Sequence, residues 1–136
     1  MGQKNIARIA VAVFQTASDT PLLLDADALN LLAHDEALAA EAALYPQLVL
    51  TPHPAEATRL LGTETSVVQS DREMAVRRLA ERFRAVVVLK GHRSLVCGGN
   101  GMLYENLSGN AGLATAGSGD VLSGIIGSLL AQGVEP

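Results

Sequence analysis

Short, wholly apolar runs alternate along this chain with longer stretches in which apolar and charged positions recur at helical spacing. Leu22-Leu23-Leu24, Leu48-Val49-Leu50 and Val86-Val87-Val88-Leu89 are the runs. Each is too short for a helix and lacks the polar alternation of a sheet with one wet face. They predict strands buried on both sides. Residues 28–44 are rich in Ala, Leu and Glu and predict one helix, with Asp27 as its N-cap. Residues 56–61 predict a short helix stopped by Gly62. Ser70-Asp71-Arg72-Glu73 has capping-box spacing, and Ala75, Val76, Leu79, Ala80 and Phe83 place an apolar stripe on the helix behind it. Leu95-Val96-Cys97 and Met102-Leu103-Tyr104 flank Gly98-Gly99-Asn100-Gly101 and predict a hairpin. Residues 109–119 predict a loop, and residues 121–131 a final helix ending at Gly133. Residues 5–14 mix Ile, Ala and Val without a clean period and fit either a helix or a strand. The alternation predicts an α/β fold with a mainly parallel sheet covered on both faces.

Composition narrows the class. A chain of 136 residues suits one domain. Charged residues are 18 %, below the usual ~25 %, so much of the surface expects to be covered. Ten Lys and Arg against 14 Asp and Glu leave a net charge of −4, which excludes a generic nucleic-acid-coating surface. No apolar run reaches the ~18 residues of a membrane span. One cysteine, Cys97, permits no disulfide within the chain. The first residues lack the pattern of a secretory leader, and the expectation is a cytoplasmic protein.

Ligands of open parallel sheets bind beyond the carboxyl ends of the strands. Asp25, His53 and Lys90 each lie just past one. The segment from Asn110 to Asp120, with Gly112, Gly117 and Gly119, runs straight into the last helix, an arrangement suited to phosphate. It is not a Walker A loop, because no Lys-Ser/Thr follows the last glycine. Asp120 there serves either as a general base toward a hydroxyl attacking phosphorus or as a helix cap. Lys90-Gly91-His92-Arg93-Ser94 could hold nucleotide phosphates or form a solvated turn. His53, between two prolines, is rigidly held. Asp25 and Asp27 could assist Mg2+, or cap and turn the chain. His34 and Cys97 receive no role, and His53 and His92 lack zinc-ligand spacing.

Taken in order, Leu24-Asp25-Ala26-Asp27-Ala28-Leu29-Asn30, Thr51-Pro52-His53-Pro54-Ala55-Glu56, Val88-Leu89-Lys90-Gly91 and residues 110–124 closely resemble the ADP-dependent NAD(P)H-hydrate dehydratases of the ribokinase-like superfamily. The resemblance spans nearly the whole chain from Pro21. It implies a three-layer α/β/α fold and a single domain over 1–136 that is the central and C-terminal part of a longer one, its N-terminal part missing. It also implies dehydration of hydrated NADH or NADPH, with ADP or ATP as phosphoryl donor, Mg2+, and a homo-oligomer. By the same resemblance Asp120 is the base and, with His53, contacts the hydrate. Lys90, Gly91, His92, Arg93 and Ser94, with Gly117, Ser118 and Gly119, fall at the nucleotide site. Ala55 and Ala116 stand where the family usually has glycine, and His92-Arg93 replaces a smaller pair. A ribokinase-like kinase of small alcohols shares the glycine-rich loop and Asp120, but not the Asp-Ala-Asp and His-Pro segments. A catalytically incomplete nucleotide-binding fragment is the third expectation.

Overall fold

Three parallel strands and an antiparallel pair form one five-stranded sheet in the computed structural model, which describes residues 3–17, 19–108 and 117–136. The strands are β1 (Leu22–Leu24), β2 (Leu48–Leu50), β3 (Val86–Leu89), β4 (Leu95–Cys97) and β5 (Leu103–Glu105), in spatial order β1-β2-β3-β4-β5. β1, β2 and β3 run parallel, with Leu23 opposite Val49 and Val49 opposite Val86. The predicted hairpin supplies the antiparallel edge, where Val88 faces Val96 and Val96 faces Tyr104.

The ambiguous N-terminal stretch is helix α1 (Gln3–Thr16). The single helix predicted over residues 28–44 is two, α2 (Asp27–His34) and α3 (Glu36–Ala43). Asp35 breaks it: its backbone is extended, and its side chain accepts from the Leu38 N–H at 3.0 Å, which caps α3. Asp27 is the first helical residue of α2 rather than its cap, since Ala26 holds that place with φ +50°. α4 (Pro54–Leu61) ends at Gly62, whose φ of +61° is the left-handed conformation that glycine adopts without a Cβ penalty. Ser70 does not open the next helix but closes a short one, α5 (Thr65–Ser70), that the pattern did not reveal. Asp71 is the cap of α6 (Arg72–Phe83), accepting from the Met74 N–H at 2.9 Å. The last helix, α7 (Ser118–Ala131), begins three residues earlier than predicted. The loop predicted ahead of it lies largely in residues 109–116, outside the described residues.

Alternation along the strands divides the core. Leu48, Leu50, Val87, Leu89, Leu95 and Cys97 point to one face and join Leu29, Leu60, Leu79 and Phe83 in a single buried cluster. Two crossovers stepping the same way across a parallel sheet place α2 to α6 on that face. Val49 is buried yet outside the cluster, on the opposite face, where α7 packs against β1. Along α7, Val121, Ile125 and Leu129 are exposed. Among the described residues no helix is long and apolar enough to cross a membrane.

Phe83 is fully buried between α6 and the sheet. Phe83→Ala should cost roughly 3–5 kcal/mol in denaturant unfolding. Asp35→Ala, which removes the α3 cap, should cost about 1 kcal/mol. No loss from the second change would mean that α2 and α3 are divided by something other than Asp35.

Candidate functional site

Backbone hydrogen bonds carry the parallel ladder past the ends of the strands. The Thr51 N–H donates to the Leu24 carbonyl at 3.2 Å, and the Lys90 N–H to the Pro52 carbonyl at 2.8 Å. These bonds bring Asp25, Thr51 and Lys90 side by side at the carboxyl edge of the sheet, the ligand-binding edge of open α/β folds. Lys90 Nζ donates to Asp25 Oδ1 at 2.8 Å, the two side chains being 20 % and 15 % exposed. Ser123, in the second turn of α7, donates its Oγ–H to Asp25 Oδ2 at 2.8 Å. A Cβ added at Gly119 would lie 3.6 Å from Lys90 Nζ, so the first turn of α7 sits against the lysine. Asp25 thus ties together the ends of β1 and β3 and the start of α7.

Burial pushes the Asp25 carboxyl up, but the Lys90 hydrogen bond, the Ser123 hydroxyl and the Lys90 charge outweigh it. The net effect holds Asp25 below its ordinary value. Thr51 adds the smallest pull; its Oγ1 is buried and completes no hydrogen bond of good geometry.

His53 is the N-cap of α4. Its Nδ1 accepts from the N–H groups of Ala55 at 3.1 Å and Glu56 at 3.4 Å. Glu56, itself buried, reaches back so that Oε2 accepts the His53 N–H at 2.8 Å, while Oε1 lies 3.3 Å from Nε2. This is a capping box with histidine in the place of Ser or Thr.

The Lys90–Ser94 loop leaves β3 with Gly91 at φ +139° and Arg93 at φ +55°. Ser94 Oγ–H donates to the Gly91 carbonyl at 3.2 Å, and Arg93 Nη1 stands 3.6 Å from Glu105 Oε1. His92 is exposed. Gly117 is the N-cap of α7 with φ +87°; Ser118 follows, and Asp120 is the third helical residue, exposed to solvent. Asn110 and the rest of the glycine-rich stretch up to Ala116 fall outside the described residues. Asp27 is exposed on the first turn of α2.

Sequence reasoning placed Asp25, His53 and Lys90 at strand ends but missed Ser123, Thr51 and Glu56. Glu56 had a signal, its capping-box spacing from His53. Ser123 had none, since its partner is 98 positions away.

A family model described as NAD(P)H-hydrate dehydratase matches residues 1–136. An ADP-dependent (S)-NAD(P)H-hydrate dehydratase from Neisseria meningitidis is 61 % identical over 117 residues, 86 % of this chain and 40 % of the relative. The bifunctional NAD(P)H-hydrate repair enzyme Nnr of Moorella thermoacetica is 47 % identical over 116 residues, 85 % of this chain and 22 % of its own. Among solved structures, an ADP/ATP-dependent NAD(P)H-hydrate dehydratase from Bacillus subtilis, co-crystallised with ATP/Mg2+, aligns at TM-score 0.66 and 33 % identity over 81 % of this chain and 38 % of that one. A ribokinase-like superfamily protein from Enterococcus faecalis aligns at TM-score 0.76 and 30 % identity over 93 % and 42 %. The fold is therefore ribokinase-like. The chain spans 40 % or less of the length of these curated relatives.

The depressed Asp25 carboxyl links stability to pH. Its contribution is present above the ordinary aspartate value of about 3.9 and is lost as pH falls through the lower folded value. Unfolding free energy measured from about pH 5 to pH 2 should therefore fall less steeply in Asp25→Asn than in the wild type. Equal slopes would remove Asp25 from the account.

Proposed function

Since the chain belongs to the NAD(P)H-hydrate dehydratase family, we propose that it carries the nucleotide- and hydrate-facing surface of an enzyme that restores hydrated NADH or NADPH at the expense of ADP. The observation that carries this reading is the convergence of Lys90, Asp25 and the first turn of α7 at the carboxyl edge of the parallel sheet. A helix N-terminus with a lysine beside it suits a terminal phosphate.

In this reading the ring hydroxyl of the hydrate attacks the β-phosphorus of ADP, and the bond to the bridging oxygen of AMP breaks. Asp120, solvent-facing on the first turn of α7, takes the hydroxyl proton. The phosphate ester then leaves from ring carbon, pushed by the ring-nitrogen lone pair. Loss of a proton from the neighbouring carbon restores the dihydropyridine. Hydroxide is a poor leaving group and phosphate a good one, which is why a kinase-type fold serves a dehydration. The N–H groups of Ser118 and Gly119, with Lys90, stabilise charge on the phosphoryl in flight. His53 contacts the hydrate, and Lys90 to Ser94 with Gly117 to Gly119 hold the nucleotide. ATP would fit the same phosphate contacts as ADP.

Among the described residues no three His, Cys, Asp or Glu side chains gather as metal ligands, and Asp25 is already engaged by Lys90 and Ser123. Mg2+ accompanying the nucleotide would be carried by its phosphates and water rather than by a protein cage.

Incubating the chain with enzymatically hydrated NADH and ADP should regenerate dihydronicotinamide absorbance. Asp120→Asn should lower the rate by about 10²–10⁴-fold. An equally fast Asn variant would sink the base assignment. Phosphorylation of a small alcohol instead of dehydration would overturn the reading in favour of a kinase.

A further inference from the structure

We infer that Arg72 is the positioning residue of the nucleotide loop: its guanidinium gathers the backbone carbonyls that follow β3 and turns the loop's N–H groups outward as an anion-binding row beside Lys90. This deepens the reading above and rests on it for the identity of the ligand. Arg72 opens α6, a place fixed by the Asp71 cap. Nη2 donates to the carbonyls of Leu89 at 3.4 Å and Lys90 at 3.3 Å. Nη1 donates to the carbonyls of His92 and, at 3.4 Å, Arg93. The remaining carbonyl in this stretch, that of Gly91, is taken by the Ser94 hydroxyl. Four of these five carbonyls thus converge on one guanidinium.

A trans peptide is planar, with its C=O and N–H directed oppositely. Holding the carbonyls of Lys90, His92 and Arg93 on the guanidinium therefore aims the N–H groups of Gly91, Arg93 and Ser94 away from it. Successive N–H groups aimed one way, with a left-handed residue among them, form a concavity suited to anions. The planar fork makes this possible, because one guanidinium presents five donors in fixed geometry where an ammonium has three on a point charge. Gly91 is part of the same device. Its φ is +139°, and a Cβ there would stand 3.0 Å from Arg72 Nη2. Arg72 Nε is buried without a partner among the described residues, and the side chain is held by its two terminal nitrogens.

AMP is the probe, with binding measured calorimetrically on protein shown to be folded. Arg72→Ala should weaken AMP binding by about tenfold or more, the equivalent of one lost charge-assisted hydrogen bond. Arg72→Lys should restore little of it, and added guanidinium ion at low millimolar concentration should restore much of it to Arg72→Ala. Val76→Ala, buried on the same helix, serves as a control that loses stability without losing affinity. Backbone order parameters over Gly91 to Ser94 should fall in Arg72→Ala. Unchanged order parameters, or unchanged AMP affinity in Arg72→Ala, would overturn the inference while leaving the nucleotide reading in place. Failure of the wild type to bind AMP would overturn the nucleotide reading, and this inference with it.

Discussion

A lysine ammonium held 2.8 Å from an aspartate at the rim of an apolar sheet is the contact on which the geometry of this site depends. Drawing two charges out of water is costly, and their attraction repays it only where the leftover lone pairs are also met. Here the second carboxylate oxygen accepts from Ser123, and both side chains keep some contact with solvent. Deleting one partner should therefore cost less than the roughly 3–5 kcal/mol of a fully buried pair. The larger consequence is geometric. Without Asp25, neither the Lys90 side chain nor the start of α7 has its anchor to β1.

The same pair explains how a carboxylate stands near a place suited to phosphate. An unpaired aspartate there would repel an anion. Asp25 has one oxygen on a cation and the other on a hydroxyl, so its charge is met locally and little of it projects outward. Arg72 performs a complementary task, since its guanidinium takes up the carbonyl oxygens of Leu89, Lys90 and His92. Asp25 disposes of negative charge on a side chain, and Arg72 disposes of negative dipole ends on the backbone.

The parallel strands were legible because continuous apolar runs of three or four residues between helical stretches have few other meanings, although only β2 is buried along its whole length and β1 is half-buried throughout. The α6 stripe was legible for a similar reason: Ala75, Val76, Leu79, Ala80 and Phe83 are all buried. The break at Asp35 was not, because Ala, Leu and Glu continue on both sides and an aspartate inside such a stretch is unremarkable until its backbone extends. Ser70 has capping-box spacing to Glu73, yet it closes α5, a short element with little periodicity of its own, and Asp71 is the cap. At the site, strand-end position was enough to single out Asp25, His53 and Lys90. Arg72 escaped because its partners are backbone carbonyls, which every residue possesses and no sequence pattern marks.

His53 shows how a local capping requirement limits what a side chain can offer a ligand. Nδ1 can accept two N–H groups of α4 only through its lone pair, so the hydrogen-bond pattern places the ring proton on Nε2. That nitrogen lies 3.3 Å from a Glu56 oxygen, whose carboxylate in turn accepts the His53 backbone N–H. The ring is thus held in one tautomer and one orientation before any ligand arrives. The ring therefore has no free acceptor nitrogen to offer a ligand. Protonating Nδ1 would remove both cap bonds, so a role for His53 as a proton acceptor at Nδ1 conflicts with the start of α4. In the proposed reaction the proton would therefore pass to a residue other than His53, such as the exposed Asp120.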